Sequence, residues 1–265
     1  MAVYSASQHT FVVCAYGESP YLSQCIDSLL AQKERGRILI STSTPNELIQ
    51  KTAEKYQLPL FVNQGRQSIA DDWNFGYRQA ETPLITIAHQ DDIYLPEYLS
   101  EVIAALNQAS NPLIAFTDYQ ELRGDSVCES NRLLSVKRTL LTPLKSRRMQ
   151  SSRFVRRRVL SMGSPICCPS VTFVRDALPK EVFAYGYKSN VDWQAWEKLS
   201  RQKGSFVYVC KPLMRHRIHA GSETTRVLKN HIRGNEDYEM FCRFWPAPIA
   251  KLINRVYSGA EKSNG

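Results

Sequence analysis

The sequence predicts an α/β fold built on a mainly parallel sheet with helices on both faces. Two observations lead there. Strand and helix signals alternate through the first 120 residues. Strand–helix units of this length are the connections that parallel pairing needs, with right-handed crossovers. A third observation places the ligand. The apolar run from Leu84 to Ala88 is followed within three residues by adjacent carboxylates, Asp91 and Asp92, and then by Pro96. Open α/β sheets collect ligands at the carboxyl ends of their strands.

Taken in order, Thr10 to Cys14 reads as a buried strand. Ser19 and Pro20 offer an N-cap and an N1 proline to a helix carrying Leu22, Cys25, Ile26, Leu29 and Leu30 at helical spacing. Arg37 to Ile40 is the second strand. Thr44-Pro45-Asn46-Glu47 has the capping-box pattern and opens a second helix that runs to about Lys55. Pro59 to Val62 is a short third strand. Ser68 to Asp71 can cap a third helix, which sets Ile69, Trp73, Tyr77 and Ala80 on one face. Leu84 to Ala88 is the fourth strand. Pro96 opens a helix with Leu99, Val102, Ile103 and Leu106, and Leu113 to Phe116 is a fifth strand that leads to Asp118.

Periodicity then fails. Residues 121–164 read as a polar, basic flap, since long irregular segments are commonly functional. Regular signals return with a strand at Ser170 to Val174, a helix at Asp192 to Leu199 and a strand at Ser205 to Cys210. A helix is expected from about Glu223 to Trp245. Beyond the Pro246 break, Ile249, Leu252, Ile253 and Val256 form an amphipathic stripe.

The charge is localised. Of 34 Lys and Arg, nine lie between Lys137 and Arg158 with no acid among them, and the remaining 25 match the 25 Asp and Glu. That segment is either a solvated flap or a contact for anionic headgroups, a diphosphate or an acidic acceptor. The seven cysteines are odd in number and lack a C-x-x-C pair, so reduced thiols are expected and a zinc site is not. No apolar run reaches the roughly 20 residues of a membrane span. The first ten residues lack a signal-peptide pattern, so the chain reads as cytoplasmic. P-loop, G-x-G-x-x-G and G-x-S-x-G signatures are absent.

Each candidate site residue has two readings. Asp91 and Asp92 either organise the turn before Pro96 or hold a hard divalent cation, which takes one or two carboxylates plus substrate phosphates. Asp192 either complements the helix dipole or serves as a general base for an attacking hydroxyl. His216 and His219 are satisfied histidines, or ligands of a metal or phosphate. Arg217 and His219 share one side of an extended segment and His216 takes the other. Tyr16 is a partly buried ring or a stacking platform for a nucleobase, with Gly17 permitting close approach. Arg66, in the turn after Gly65, can meet a phosphate, whereas Asp72, Trp73 and Asn74 suit packing and capping.

In sequence order these pieces resemble the GT-A-fold glycosyltransferases of family 2. The matching residues are Ala15-Tyr16-Gly17-Glu18 with the Ser-Pro-Tyr-Leu that follows, Ser28 to Gln32, Asn63-Gln64-Gly65, Ala70 to Asn74, and Ile85 to Pro96, with Asp192-Trp193 and His216 to His219 later. The resemblance covers residues 8–120 well and 165–222 sparsely. It implies a GT-A-like catalytic unit over 1–222, with a nucleotide-binding half at 8–120, the flap at 121–164, an acceptor half at 165–222 and a helical extension at 223–265. It implies an inverting transfer of sugar from a nucleotide-diphosphate donor to a saccharide or lipid-linked acceptor, assisted by Mn²⁺ or Mg²⁺, as in cell-surface polysaccharide synthesis. Asp92 is implied as the direct metal ligand, with Asp91 on the ribose or sugar and His219 as a metal or diphosphate contact. Tyr16 is implied to stack on the base, Glu18, Ser41, Thr42 and Arg66 to bind the nucleotide-sugar, and Asp192 to be the catalytic base. One departure is plain. The family's second strand ends in an acidic cluster, and here it ends Ser41-Thr42-Ser43-Thr44. Peripheral membrane contact is expected through the basic segment and the C-terminal stripe, and nucleic acid is not an expected partner. The alternatives are a sugar-phosphate nucleotidyltransferase, which lacks its usual Gly-rich loop here, and a non-catalytic binder of anionic polymers.

Overall fold

Four strands answer the alternating pattern: β1 (His9–Ala15), β2 (Arg37–Thr42), β3 (Leu60–Val62) and β4 (Leu84–His89). The computed structural model describes residues 3–219 and 233–262. Among them β3-β2-β1-β4 pair in parallel, with Phe11 opposite Ile38 on one side and Thr86 on the other. Helices α1 (Leu22–Leu30), α2 (Glu47–Tyr56), α3 (Ile69–Gln79) and α4 (Tyr98–Asn107) form the crossovers and flanking layers. Core residues fall into two clusters. One contains Phe11, Ile26, Ile40 and Leu99, the other Val12, Tyr77, Ile87 and Phe173. Adjacent strand residues such as Phe11 and Val12 face opposite ways, so the two clusters are the two covered faces of the sheet.

Two expected caps are used differently. Asn46, not Thr44, caps α2 by accepting from Ile49 N–H at 3.0 Å, while the Thr44 hydroxyl accepts from Gly17 N–H at 2.7 Å. Ser19 makes no cap for α1, and its hydroxyl donates to Asp91 at 2.6 Å. Ser68 does cap α3. Inside α3, a Cβ at Gly76 would meet Val12 at 2.7 Å and Ser41 at 3.1 Å, so glycine is what lets this helix lie against the sheet.

The second half departs from the parallel rule. β8 (Val171–Val174) enters antiparallel between β4 and β6 (Pro112–Arg123). β6 runs well past Asp118, and β9 (Ser205–Ile218) well past Cys210. The two pair in parallel along their length, with the register shifting around Thr117–Tyr119, where Cys210 and Lys211 are skipped. The shift bends the ribbon. Two short strands complete the sheet: β5 (Ile93–Tyr94) pairs with β9, and β7 (Ser126–Cys128) with β6.

The basic segment expected as an irregular flap is helical: α5 (Arg132–Leu141), α6 (Arg147–Gln150) and α7 (Arg153–Leu160). Buried Leu134, Leu141, Leu144, Val159 and Leu160 fasten it to the core. Arginine serves as structure here. Arg157 and Arg201 both donate to one Glu197 oxygen, and Arg243 lies 3.6 Å from the other. Glu197 belongs to α8 (Val191–Ser200), so this carboxylate ties α7 and the helix Arg233–Cys242 to it. The helix expected from Glu223 is described only from Arg233, and residues 220–232 lie outside the described residues. The C-terminal helix is Ala247–Lys262. All seven cysteines are free, as expected.

Candidate active site

The site grows from the register of β5. A tight turn, closed by Asp92 N–H donating to His89 C=O at 3.2 Å, joins β4 to β5. Ile93 pairs antiparallel with Arg215 of β9. Continuing that register sets Asp92 beside His216 and Asp91 beside Arg217. The side chains follow. One Asp92 oxygen is 3.0 Å from His216 Nδ1 and accepts from Arg217 N–H at 2.8 Å. Arg217 Nε donates to the Asp91 carbonyl at 2.8 Å, its other end reaches Gln24, and its guanidinium lies 4.1 Å from the Tyr21 ring centre. His219 Nε2 is 3.1 Å from Asp91 Oδ2. The two sides of the extended segment therefore divide as expected, with His216 on Asp92 and both Arg217 and His219 on Asp91.

The two acids differ in access. Asp92 is 1% exposed, and its second oxygen, Oδ2, is buried without a hydrogen bond, 3.9 Å from His89 Nδ1. Burial alone would raise its pKa, but His216, His89 and the Arg217 amide outweigh that and hold it below the usual carboxylate range. Burial likewise disfavours a charged His216, and Asp92 more than compensates, so its pKa is raised. Asp91 keeps 23% of its side chain open. His89, whose pKa burial lowers, stacks on Trp73 with ring centres 5.0 Å apart.

Asp192 sits in the first turn of α8, where its Oδ1 accepts from Trp193 N–H at 2.7 Å. Burial, then Asp192, pushes the Cys168 thiol well up, and Asp92 acts on the same thiol. The two carboxylates thus share the Cys167–Cys168 turn as a neighbour. The loop before Asp192 is held from outside the sheet. Glu236 accepts from the N–H groups of Lys188, Ser189 and Asn190 at 2.7, 2.8 and 2.9 Å, and Asn190 donates to Asp237 at 2.7 Å. Nothing in the spacing of Glu236 announced this, because its partners are backbone groups about 46 residues away.

Around the end of β1, the Gln90 amide clasps the Tyr16 backbone, donating to its carbonyl at 2.9 Å and accepting from its N–H at 3.1 Å. The Tyr16 ring is left 55% exposed. Gly17 follows at φ +59°, a conformation suited to glycine, and Glu18 is exposed. Ser41 and Thr42 are buried. Ser41 packs on Gly76, and the Thr42 hydroxyl accepts from Thr44 N–H at 3.0 Å. The carboxylate nearest the end of β2 is Asp72 of α3. Ser43 donates to one of its oxygens at 2.7 Å and Asn63 to the other at 2.9 Å. Burial raises its pKa despite those bonds. Arg66 is exposed in the adjoining turn, its carbonyl accepting from Asn63 at 3.2 Å. Asn74, by contrast, is used up in packing, with its amide bonded to the backbone of Val182 and Phe183.

A sheet edge that presents an acid pair, an open aromatic ring and a helix-borne carboxylate suits a nucleotide-linked substrate. The family model described as Glycosyl transferase family 2 matches residues 10–183, well over half of the sequence. The chain belongs to glycosyl transferase family 2. Its mixed α/β sheet is GT-A-like. No curated protein matches it. Among solved structures, S. aureus TarS 1-349 in complex with UDP-GlcNAc aligns with a TM-score of 0.62 at 16% identity, over 88% of this chain and 64% of that one. The mannosyltransferase PcManGT from Pyrobaculum calidifontis, in complex with GDP-Man and Mn²⁺, aligns with 0.59 at 14%, over 95% and 69%. Glucosyl-3-phosphoglycerate synthase from Mycobacterium tuberculosis, in complex with Mn²⁺, UDP and glucosyl-3-phosphoglycerate, aligns with 0.58 at 13%, over 89% and 79%. At such identities the likeness is one of fold, and the chain spans less than two thirds of the TarS fragment. The family 2 match ends at residue 183, so the placement of Asp192 and of His216 to His219 rests on this chain's own geometry.

Among the described residues no three His, Cys, Asp or Glu side chains converge as a metal cluster. The donors at the lip still fit a divalent cation that shares its shell with a diphosphate. Asp91 and His219 face each other, and the neighbouring Asp92 has one buried oxygen with no hydrogen bond, opposite His89.

Proposed function

We propose that this family 2 enzyme moves a sugar, with inversion, from a nucleotide-diphosphate donor to an acceptor hydroxyl, assisted by Mn²⁺ or Mg²⁺. The observation that carries the reading is the Asp91–His219 pair, 3.1 Å apart at the open end of the sheet. Asp91 and His219 would hold the cation together with donor phosphate oxygens. A cation so held neutralises charge building on the leaving diphosphate. Direct ligation thereby passes from Asp92, the residue the resemblance implied, to Asp91. Asp92 instead fixes β9 against β4 through His216 and the Arg217 amide.

Tyr16 stacks on the base, and Asp72, rather than a residue of β2, supplies the acceptor for a base N–H. Ser41 and Thr42 support Asp72's neighbourhood from below, while Glu18 and Arg66 flank the donor. Asp192 takes the proton of the acceptor hydroxyl as its oxygen attacks the anomeric carbon opposite the diphosphate, and inversion follows from that direction of attack. Glu236 and Asp237 set Asp192 by holding residues 188–190. UDP-GlcNAc, GDP-Man and Mn²⁺ in the structures of like fold support a nucleotide-sugar donor and a divalent cation. A saccharide or lipid-linked hydroxyl is the acceptor class, in the setting of polysaccharide assembly on the cytoplasmic side of a membrane.

A thermal-shift panel of UDP- and GDP-sugars with and without Mn²⁺ tests the reading, followed by product analysis. A Mn²⁺-dependent rise with one donor and release of nucleoside diphosphate are expected. Pyrophosphate release, or no Mn²⁺-dependent shift with any donor, would sink it.

A further inference from the structure

Most of the apolar stripe on the C-terminal helix Ala247–Lys262 is not used for packing. Ala250 is buried and Ile253 and Tyr257 pack on the core, but Leu252 is 62% and Val256 67% exposed, and Ile249 lies beside them at helical spacing. An exposed ring lies on α7. Phe154 of α7 is 70% exposed. The Arg158 guanidinium lies 5.5 Å from the Phe154 ring centre and 4.6 Å from that of Trp245, which directly precedes the helix. Trp245 Nε1 donates to Ser161 C=O at 2.8 Å, and the Tyr257 ring closes over Gly163. The segment that leads into the C-terminal helix and the turn that follows α7 therefore lie together, with Arg158 bridging Phe154 and Trp245.

The charge around this apolar surface is predominantly positive, with Glu261, near the far end, the one acid of the C-terminal helix. Arg148, Arg153 and Arg158 are exposed on the α6–α7 side, and Lys251 and Arg255 on the helix side. No Asp or Glu occurs in residues 137–158 or 240–260. A protein partner would be met by mixed charge. Exposed aromatic and aliphatic side chains flanked mainly by Lys and Arg match a headgroup layer of negative charge over an apolar interior. Among the described residues no helix is long and apolar enough to cross a membrane, so attachment by this surface would be interfacial.

We infer that the α7 and C-terminal helix surface docks the enzyme on a bilayer rich in anionic phospholipid, with Phe154, Leu252 and Val256 entering the acyl boundary. The inference deepens the lipid-linked reading of the acceptor in the proposed function, and its test does not depend on transfer. The full chain is sedimented with vesicles of phosphatidylglycerol in phosphatidylcholine, and with phosphatidylcholine alone, at low and high salt. Binding to the anionic vesicles at low salt is expected, weakened by salt and at least about tenfold by the combined substitutions Phe154→Gln, Leu252→Gln and Val256→Gln. The same variant should keep the melting temperature and the Mn²⁺-dependent nucleotide shift of the parent, which separates loss of docking from loss of fold or of donor binding. Equal binding to neutral vesicles, no binding at low salt, or a variant that binds like the parent overturns the inference. So does a dimer in sedimentation velocity that the three substitutions dissolve without any vesicle binding, since the face would then serve self-association.

Discussion

Glu197 and Asp91 are both carboxylates held by neighbouring side chains through both oxygens, and they are put to opposite uses. Glu197 is 2% exposed, and its two oxygens face three arginines: Arg157 of α7, Arg201 at the end of its own helix, and Arg243. Its lone pairs face inward, and nothing is left to offer a ligand. Asp91 is tied to Ser19 by one oxygen and to His219 by the other, but keeps access to solvent. Beside it Asp92 keeps one buried oxygen without a hydrogen bond, a cost that the interior of a protein seldom tolerates without a function. A closed ionic hub builds structure, whereas one left open at the rim of a sheet can take a charged ligand.

Substitutions can break that comparison. Asp192→Asn should have the largest effect, a fall in kcat of about 10³-fold, the range for loss of a general base, with nucleotide binding unchanged; turnover near the parent's would refute the base assignment. Next is Glu197→Gln, which takes from half-buried Arg157 and Arg243 and exposed Arg201 the buried anion they share. It should cost about 3 kcal/mol of unfolding free energy, read by urea titration, while Mn²⁺-dependent donor binding persists at low temperature. Asp91→Asn should do the reverse, weakening that donor binding about 10²-fold, the upper end for loss of groups around a metal, with the melting temperature nearly kept. If Asp91→Asn unfolds the protein and Glu197→Gln abolishes donor binding, the distinction drawn between the two regions is wrong.

Glu236→Gln sharpens the comparison, because a carboxylate well outside the sheet is assigned to the chemistry. A kcat about tenfold lower with donor KM unchanged is expected, since small displacements of a reacting group are costly. A change in KM alone would deny Glu236 that positioning role. The smallest effect concerns a closed polar contact in the core. His9 is buried against Thr86, 2.8 Å from its Nε2, and burial lowers its pKa to about 3. The unfolded chain binds that proton near pH 6.5, so stability is full above about 6.5 and declines as pH falls towards 3, by about 1 kcal/mol at pH 5.5. Urea midpoints at two pH values should show this slope, and His9→Asn should flatten it.

The parallel half of the fold was legible because its signals are local. Apolar runs in β1, β2 and β4 and the stripe on α3 show their periodicity within a few consecutive residues. The antiparallel entry of β8 was not legible, since the direction of a strand leaves no trace in its own residues. Nor was the helical nature of residues 132–160. Arg156, Arg157 and Arg158, which look like solvated charge, are stacked on rings or paired with Glu197, so composition concealed the helix. Asp72 and Glu236 escaped for a related reason. One looked like a helix-terminal acid and the other was one acid among many, and only the approach of Ser43 or of three backbone amides gives each a role.

Sequence alone determined the family and the order of the elements in the first half, and it singled out as candidates Tyr16, Asp91, Asp92, Asp192 and the His216–His219 segment. These rest on residue types and short spacings, which the chain carries however it is folded. Tertiary structure decided which acid is open and which is closed. That choice depends on two-residue β5 lying in register with β9, a pairing of segments more than 120 residues apart that sets His216 on Asp92 and His219 on Asp91.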